Sequence, residues 1–372
     1  MTDPTGTTST TGATGPTALP HGVLTGIRVL DFGIWRPVPY ATQLLADLGA
    51  DVLHVEPPGG DPMRQFPDIF AAIAAHKRSI VIDLKSADGL AHAVELAADA
   101  DVVTEGFRPG VVDRLGIGPD AIRAVNPDVV YCSISGFGQD GPMRLAPGHD
   151  LSYQAVAGVL VPEGGDPPAR VSVPWADLAG GLSAAFAICA ALVGAIRTGE
   201  GDTLDVSMTD ILATWTGSSG GGNAKPVGRR LSGMPGYGVY KTRDGWIAMS
   251  TITEQHFWAN TCDALGMEDV RDLPLMEQLD RHVELRARLD AAIGELSQEE
   301  ALKRLSDTAA PVAPIHTRAG MLADEHLRER GTVFDGPDGG PWLAHPVKYA
   351  HHPPRPPILP PDVDEHHGQG WL

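Results

Sequence analysis

The stretch GIRVLDFGIWRPVPYATQLLADLGADVLHVEP, residues 26–57, sets the architecture. IRVLDFG (27–33) reads as a strand, because β-branched and apolar side chains suit a buried pleated surface. YATQLLADLGA (40–50) reads as a helix, with Gly49 where a left-handed residue would end it. DVLHVEP (51–57) is a strand again. The alternation continues outward. SIVIDLK (79–85), DVVTEG (101–106) and DVVYCSIS (128–135) read as strands, and GLAHAVELAADA (89–100) and PDAIRAV (119–125) as helices. Short strands alternating with helices imply an α/β, Rossmann-like, doubly wound parallel sheet covered on both faces. Such sheets bind ligands beyond the carboxyl ends of their strands. Those ends are residues 33–39, 56–60, 105–110 and 135–150.

The last of these loops contains GFGQDG (136–141), a formal match to G-x-G-x-x-G. It follows a late strand, and prolines succeed it where a helix should open, so it reads as a turn-rich loop rather than a dinucleotide fingerprint. LSAAFAICAALVGAI (182–196) is too short for a membrane span at 15 residues, which predicts a buried, alanine-rich helix. After residue 200 come a strand and a helix (197–215), then a Gly-rich crossover (216–238). A hairpin (238–251) turns at Arg243-Asp244-Gly245, helices fill 254–306, and APVAPIHT (310–317) is a strand-like return. This gives a tail (1–20), a large domain (21–214) completed by 330–372, a linker (215–236) and a small α+β domain (237–329). The proline-rich segment 353–361 fits a strap or a loose end.

The chain of 372 residues is 42% hydrophobic and carries a formal net charge of −19. That charge argues against nucleic acid or an anionic membrane as partner, while local arginines could still bind an anionic small ligand. Cys132, Cys189 and Cys262 form no CxxC, so neither zinc ligation nor a disulfide framework is indicated. Buried thiols in a reducing cytoplasm are expected. Residues 1–20 lack the apolar segment of a secretory signal.

RLAPGHDLSYQAVAGVL (144–160) places His149 and Asp150 together between a strand-end loop and a helix. Imidazole is the natural base near neutral pH. Asp177, in VPWADLAGGLSAAF (173–186), suits a helix N-cap, and Gly180-Gly181 would allow close backbone approach. Two chemistries fit. His149 and Asp177 could remove a proton beside a thioester and return it on the other face. The enolate would then need donors, such as amides at the start of the helix after Asp150. Alternatively, Asp150 could attack an acyl-CoA thioester as a nucleophile.

The chain resembles the family III CoA-transferase / alpha-methylacyl-CoA racemase superfamily over about 22–360. The resemblance rests on LTGIRVLDFG, PYATQLLADLGADVLHVEPPGGDPMR, KRSIVIDLKSADG, ADVVTEGFRPGVVDRLGIG, NPDVVYCSISGFGQDGP, APGHDLSYQAVAGVL and ADLAGG. TLDVSMTDILA, GYGVYKTRDGWIAMS and APVAPIHTRAGMLADEHLRERG continue it. It implies acyl-CoA as substrate, with CoA part of that substrate and no other cofactor, and an interlocked homodimer.

Racemases of this superfamily carry Gly-His-Asp, here Gly148-His149-Asp150, with Asp177 as second acid/base. Glu254 falls near a glutamate that racemases place by the histidine. Transferases have an aromatic residue at the position of His149 and use the aspartate at Asp150 as nucleophile. The first loop, IWRPVPYAT, looks more like the transferase type, and GSSGGGN (217–223) is not a tetraglycine loop of the formyl-CoA transferase kind. Residues matching the CoA-binding region are Arg36, Val55, Pro57, Pro58, Arg64, Lys77, Arg78, Glu105, Arg108 and Tyr153. The stronger reading is an acyl-CoA racemase, with CoA transfer as the alternative.

Overall fold

The computed structural model describes residues 22–160, 172–218, 233–356 and 358–372. The expected tail and most of the crossover lie outside them. The chain forms two compact units, 1–212 with 332–372, and 213–331.

In the first unit the strands are β1 (Arg28–Asp31), β2 (Asp51–Glu56), β3 (Arg78–Val81), β4 (Val102–Glu105), β5 (Val130–Ser135) and β6 (Thr203–Ser207). They form one parallel sheet in the order β3-β2-β1-β4-β5-β6. The helices are α1 (Pro37–Asp47), α2 (Pro67–Ala74), α3 (Ala87–Ala98), α4 (Val111–Leu115), α5 (Pro119–Val125), α6 (Asp150–Val156), α7 (Trp175–Thr198) and α8 (Met208–Ser218). One core cluster gathers α1 and α7 against the sheet, and a second gathers the side chains around α3 and α5. The doubly wound sheet expected from the alternation is therefore present. Helices α2 and α4 were not anticipated, being short and opened by proline or glycine.

Helix α7 departs from the expected fully buried helix. Its small residues Ala176, Ala179, Gly180, Gly181, Ala184 and Ala185 are buried. A Cβ on Gly181 would lie 2.7 Å from the Pro37 carbonyl oxygen, so glycine there permits close approach to α1. The bulky residues face out: Leu182 is 50% exposed, Phe186 76%, Val193 56% and Ile196 76%. With half-buried Cys189 between them they follow a 4-3-4-3 spacing, the repeat of a helix-pairing seam. At 24 residues, α7 is long and apolar enough by length and composition to cross a bilayer, but its small-residue face is part of this unit's core.

The segment after residue 332 returns to this unit as the hairpin Val333–Asp335 and Pro341–Leu343 and then as extended chain. Its end covers the edge strand β3. The Val81 amide donates to Asp364 Oδ1 (2.7 Å), the His366 amide to the Ser79 carbonyl (3.0 Å) and Trp371 Nε1 to the Leu96 carbonyl (3.2 Å).

The second unit pairs β7 (Tyr237–Lys241), β8 (Trp246–Ser250) and β9 (Val312–Pro314) into an antiparallel sheet. It packs with α9 (Gln255–Leu265), α10 (Leu275–Asp280), α11 (His282–Gly294) and α12 (Gln298–Asp307) around Tyr240, Trp258, Leu285 and Leu289. This is an α+β unit.

Candidate active site

The strand order reverses between β1 and β4, and a crevice opens there at the carboxyl edge, as doubly wound sheets dictate. It holds a cavity of about 330 Å³ bounded by the loops after β1, β4 and β5 and by α7. Asp31, the last residue of β1, shapes the first loop by accepting the Gly33 amide (2.8 Å) and the Thr42 hydroxyl (2.6 Å). The Lys77 ammonium donates to Asp31 (3.1 Å), Thr42 (2.7 Å) and the Pro39 carbonyl (2.8 Å). His54 lies between Asp31 (3.3 Å) and Asp61 (3.4 Å). Burial raises the Asp31 carboxyl pKa, but Lys77 and His54 more than reverse this and hold it well below the usual carboxylate range.

The loop after β5 is fixed by Tyr153, which is buried. Its hydroxyl donates to the Gly148 carbonyl (2.6 Å) and its ring meets Phe137 edge-on at 5.1 Å. A Cβ on Gly136 or Gly148 would lie 2.2 or 2.7 Å from that ring, so both glycines are required for the fit. His149 follows, exposed and facing the cavity, and is the N-cap residue of α6.

Asp177 also lines the cavity, but not as the cap expected from sequence. Pro174 is the N-cap residue of α7, and Asp177 lies in its first turn. The capping acceptor comes from another helix: Asp150 Oδ1 takes the Ala176 amide (2.7 Å) and the Asp177 amide (3.4 Å). Orphan first-turn donors thereby gain a carboxylate acceptor. Asp150 Oδ2 accepts from Gln154 Nε2 (2.6 Å). Asp150 itself does not line the cavity. The Asp177 carboxyl is thus left to face it. Burial, then the charge of Asp150, push its pKa up to about 6, with Arg36 and His149 pulling against them. The expected enolate donors in α6 are otherwise engaged, since the Ser152 and Tyr153 amides donate to the His149 carbonyl.

The expected CoA-binding set divides. Arg36 is half-buried near Asp177, and Arg108 lines the cavity. Lys77 is excluded, because its ammonium is buried against Asp31. Arg64 bonds Glu56 (2.7 Å) and the Pro361 carbonyl (3.0 Å), and Arg78 bonds Asp51 (3.0 Å) and the Gly370 carbonyl (2.6 Å). These cations serve folding, and no sequence signal says which distant carboxylate each will meet. Val55 is core, while Pro57 and Pro58 form an exposed turn closed by the Gly60 amide on the Pro57 carbonyl (2.9 Å). Glu105 is buried at the end of β4, where it accepts the Phe107 amide (2.7 Å); burial lifts its pKa to about 7. Tyr153 acts on the loop through its hydroxyl. Glu254 belongs to the second unit, at the N-cap of α9, and takes the Thr253 amide (3.0 Å). Sequence reasoning missed Arg144, which lines the cavity from the His149 loop. Its position in that strand-end loop, five residues before His149, was the available signal.

Comparison with known proteins agrees with this geometry. The pattern of CoA-transferase family III matches residues 24–367. The chain is 30% identical to a succinate–glutarate CoA-transferase of Agrobacterium fabrum, over 93% of this chain and 94% of that one. It is 32% identical to the alpha-methylacyl-CoA racemase of Homo sapiens, over 84% and 82%. The structure of a CAIB/BAIF family protein from Brucella suis superposes with a TM-score of 0.82 at 27% identity, covering 93% of this chain and 97% of that one. From the nucleotide-fold sheet to the two proton-handling residues at its edge, this chain belongs to CoA-transferase family III.

Proposed function

We propose that this protein is a cofactor-independent racemase or epimerase of 2-methyl-branched acyl-CoA thioesters. One observation carries the reading. His149 and Asp177 open on one cavity, whereas both carboxylate oxygens of Asp150 are engaged by α7 and Gln154. Neutral His149 removes the α-proton and the Asp177 carboxylic acid delivers one to the opposite face. In the reverse direction the roles exchange. An Asp177 carboxyl near pKa 6 suits both duties, since acid–base catalysis is best with a pKa close to working pH. CoA enters as part of the substrate. The working form is a cytoplasmic homodimer, a reading supported by the apolar seam left outside on α7.

CoA transfer through Asp150 is the second reading, favoured by relatives that bear transferase names. One experiment separates them. A 2-methylacyl-CoA is incubated with the protein in deuterated water, and the α-hydrogen is followed by NMR. Washout with loss of stereochemistry, falling by roughly 10²–10⁴ in His149→Ala, is expected. Asp150→Asn, which retains an acceptor for α7, should weaken exchange without abolishing it. Absence of washout, with CoA moving to an added carboxylate and stopping in Asp150→Asn, would make the protein a transferase.

A further inference from the structure

We propose, building on the racemase reading, that the acyl chain carries a second carboxylate at its far end, held by Arg144 with Arg108. Both residues line the cavity that His149 and Asp177 face. Neither guanidinium has a hydrogen bond or ion pair among the described residues, in contrast to Arg64 and Arg78. Arg144 stands on the loop that presents His149, so Tyr153 fixes the base of that loop near both residues. The cavity therefore contains two permanent positive charges and one ionisable carboxyl, Asp177, within a protein of net charge −19.

An apolar acyl tail in this space would press methylene groups against two guanidiniums. It would strip their water and provide no acceptor, which is costly for a charged group. A terminal carboxylate reverses the sign. It matches the guanidinium fork, accepts paired hydrogen bonds and offsets the local charge. The volume points the same way. About 330 Å³ is at the small end of ligand pockets, enough for a short acyl chain and its thioester without the nucleotide of CoA. Arginines inside it therefore face the acyl end. The substrate class is a short 2-methyl dicarboxylic acid joined to CoA at the carboxyl next to the branch.

The test compares 2-methylglutaryl-CoA, thioesterified at C1, with 2,5-dimethylhexanoyl-CoA, in which an isopropyl group replaces the distal carboxylate. Alpha-proton exchange is measured for both. The wild type should prefer the diacid by at least about tenfold in kcat/KM, or about 1.4 kcal/mol. Arg144→Gln should bring that ratio toward unity. A wild-type preference for the isopropyl compound, or a ratio unmoved by Arg144→Gln, overturns the proposal and leaves the racemase reading standing. Exchange with neither compound would count against the racemase reading instead. The carboxylate contact is then decided by calorimetric affinities for the matching unreactive thioethers, where the same ratio and its loss in Arg144→Gln are expected. Equal affinities would again overturn it.

Discussion

Asp177 shows how one side chain is tuned by neighbours that do no chemistry themselves. Its carboxyl is lifted from an ordinary 3.8 to about 6 by burial and by Asp150, while Arg36 and His149 restrain the rise. The signs predict opposite responses. Arg36→Gln removes a restraining positive charge, so the flank of the pH–rate profile that follows Asp177 should move to higher pH. Asp150→Asn removes a raising negative charge, so the flank should move to lower pH. Exchange rates across pH 4.5–9 measure both, and a flank that stays in place in both variants would remove Asp177 from the proton path. His149 and Asp177 were legible in the sequence because their motifs fix them on strand-end loops. The cations were less so. Lys77 meets a carboxylate 46 residues away and Arg78 one 27 away, and composition cannot say which lysine or arginine will be enclosed. Arg144 was passed over because, in sequence, a lone arginine in a polar loop looks like any solvated one.

At the scale of elements, the join between β1, β2 and α1 is a small polar core set in an apolar one. Lys77 is buried against Asp31, and His54 stands beside the same carboxylate. Removing one member of a buried pair leaves an unanswered charge and costs about 3–5 kcal/mol. Lys77→Met should therefore shift the chemical denaturation midpoint sharply downward. A shift under about 1 kcal/mol would mean that His54 compensates Asp31 on its own. The strands were readable because β-branched runs recur between turn residues. The borrowed cap was not. Sequence placed the cap at Asp177, whereas the chain takes it from Asp150, a residue 26 positions upstream of the amide it receives. Local pattern supplies the demand for an acceptor, and only tertiary approach supplies the acceptor.

For the whole molecule, the doubly wound sheet was legible from strand and helix order, while the outer face of α7 was not. Its sequence is apolar on every side, so periodicity could not show that the alanine and glycine face would be the one taken inward. The exposed Leu182, Phe186, Val193 and Ile196 belong to a surface a lone chain leaves wet. Phe186→Glu is expected to shift sedimentation from dimer toward monomer, or to make the dimer dissociate on dilution. A variant that sediments as the wild-type dimer would move the interface elsewhere.

The covering of β3 by the chain's return has a consequence in time. Asp364 donates its backbone amide to the Ser79 hydroxyl, 285 positions away. At synthesis rates of 5–20 residues per second, a nascent chain holds Ser79 for roughly 15–60 s before that partner exists. Throughout that interval the sheet has an unpaired edge, the feature most apt to recruit a neighbouring nascent chain. The whole second unit is translated within the same interval. Closure of the first unit is therefore a late, post-synthetic event, and the yield of native protein should depend on how well cellular chaperones shield a half-finished sheet.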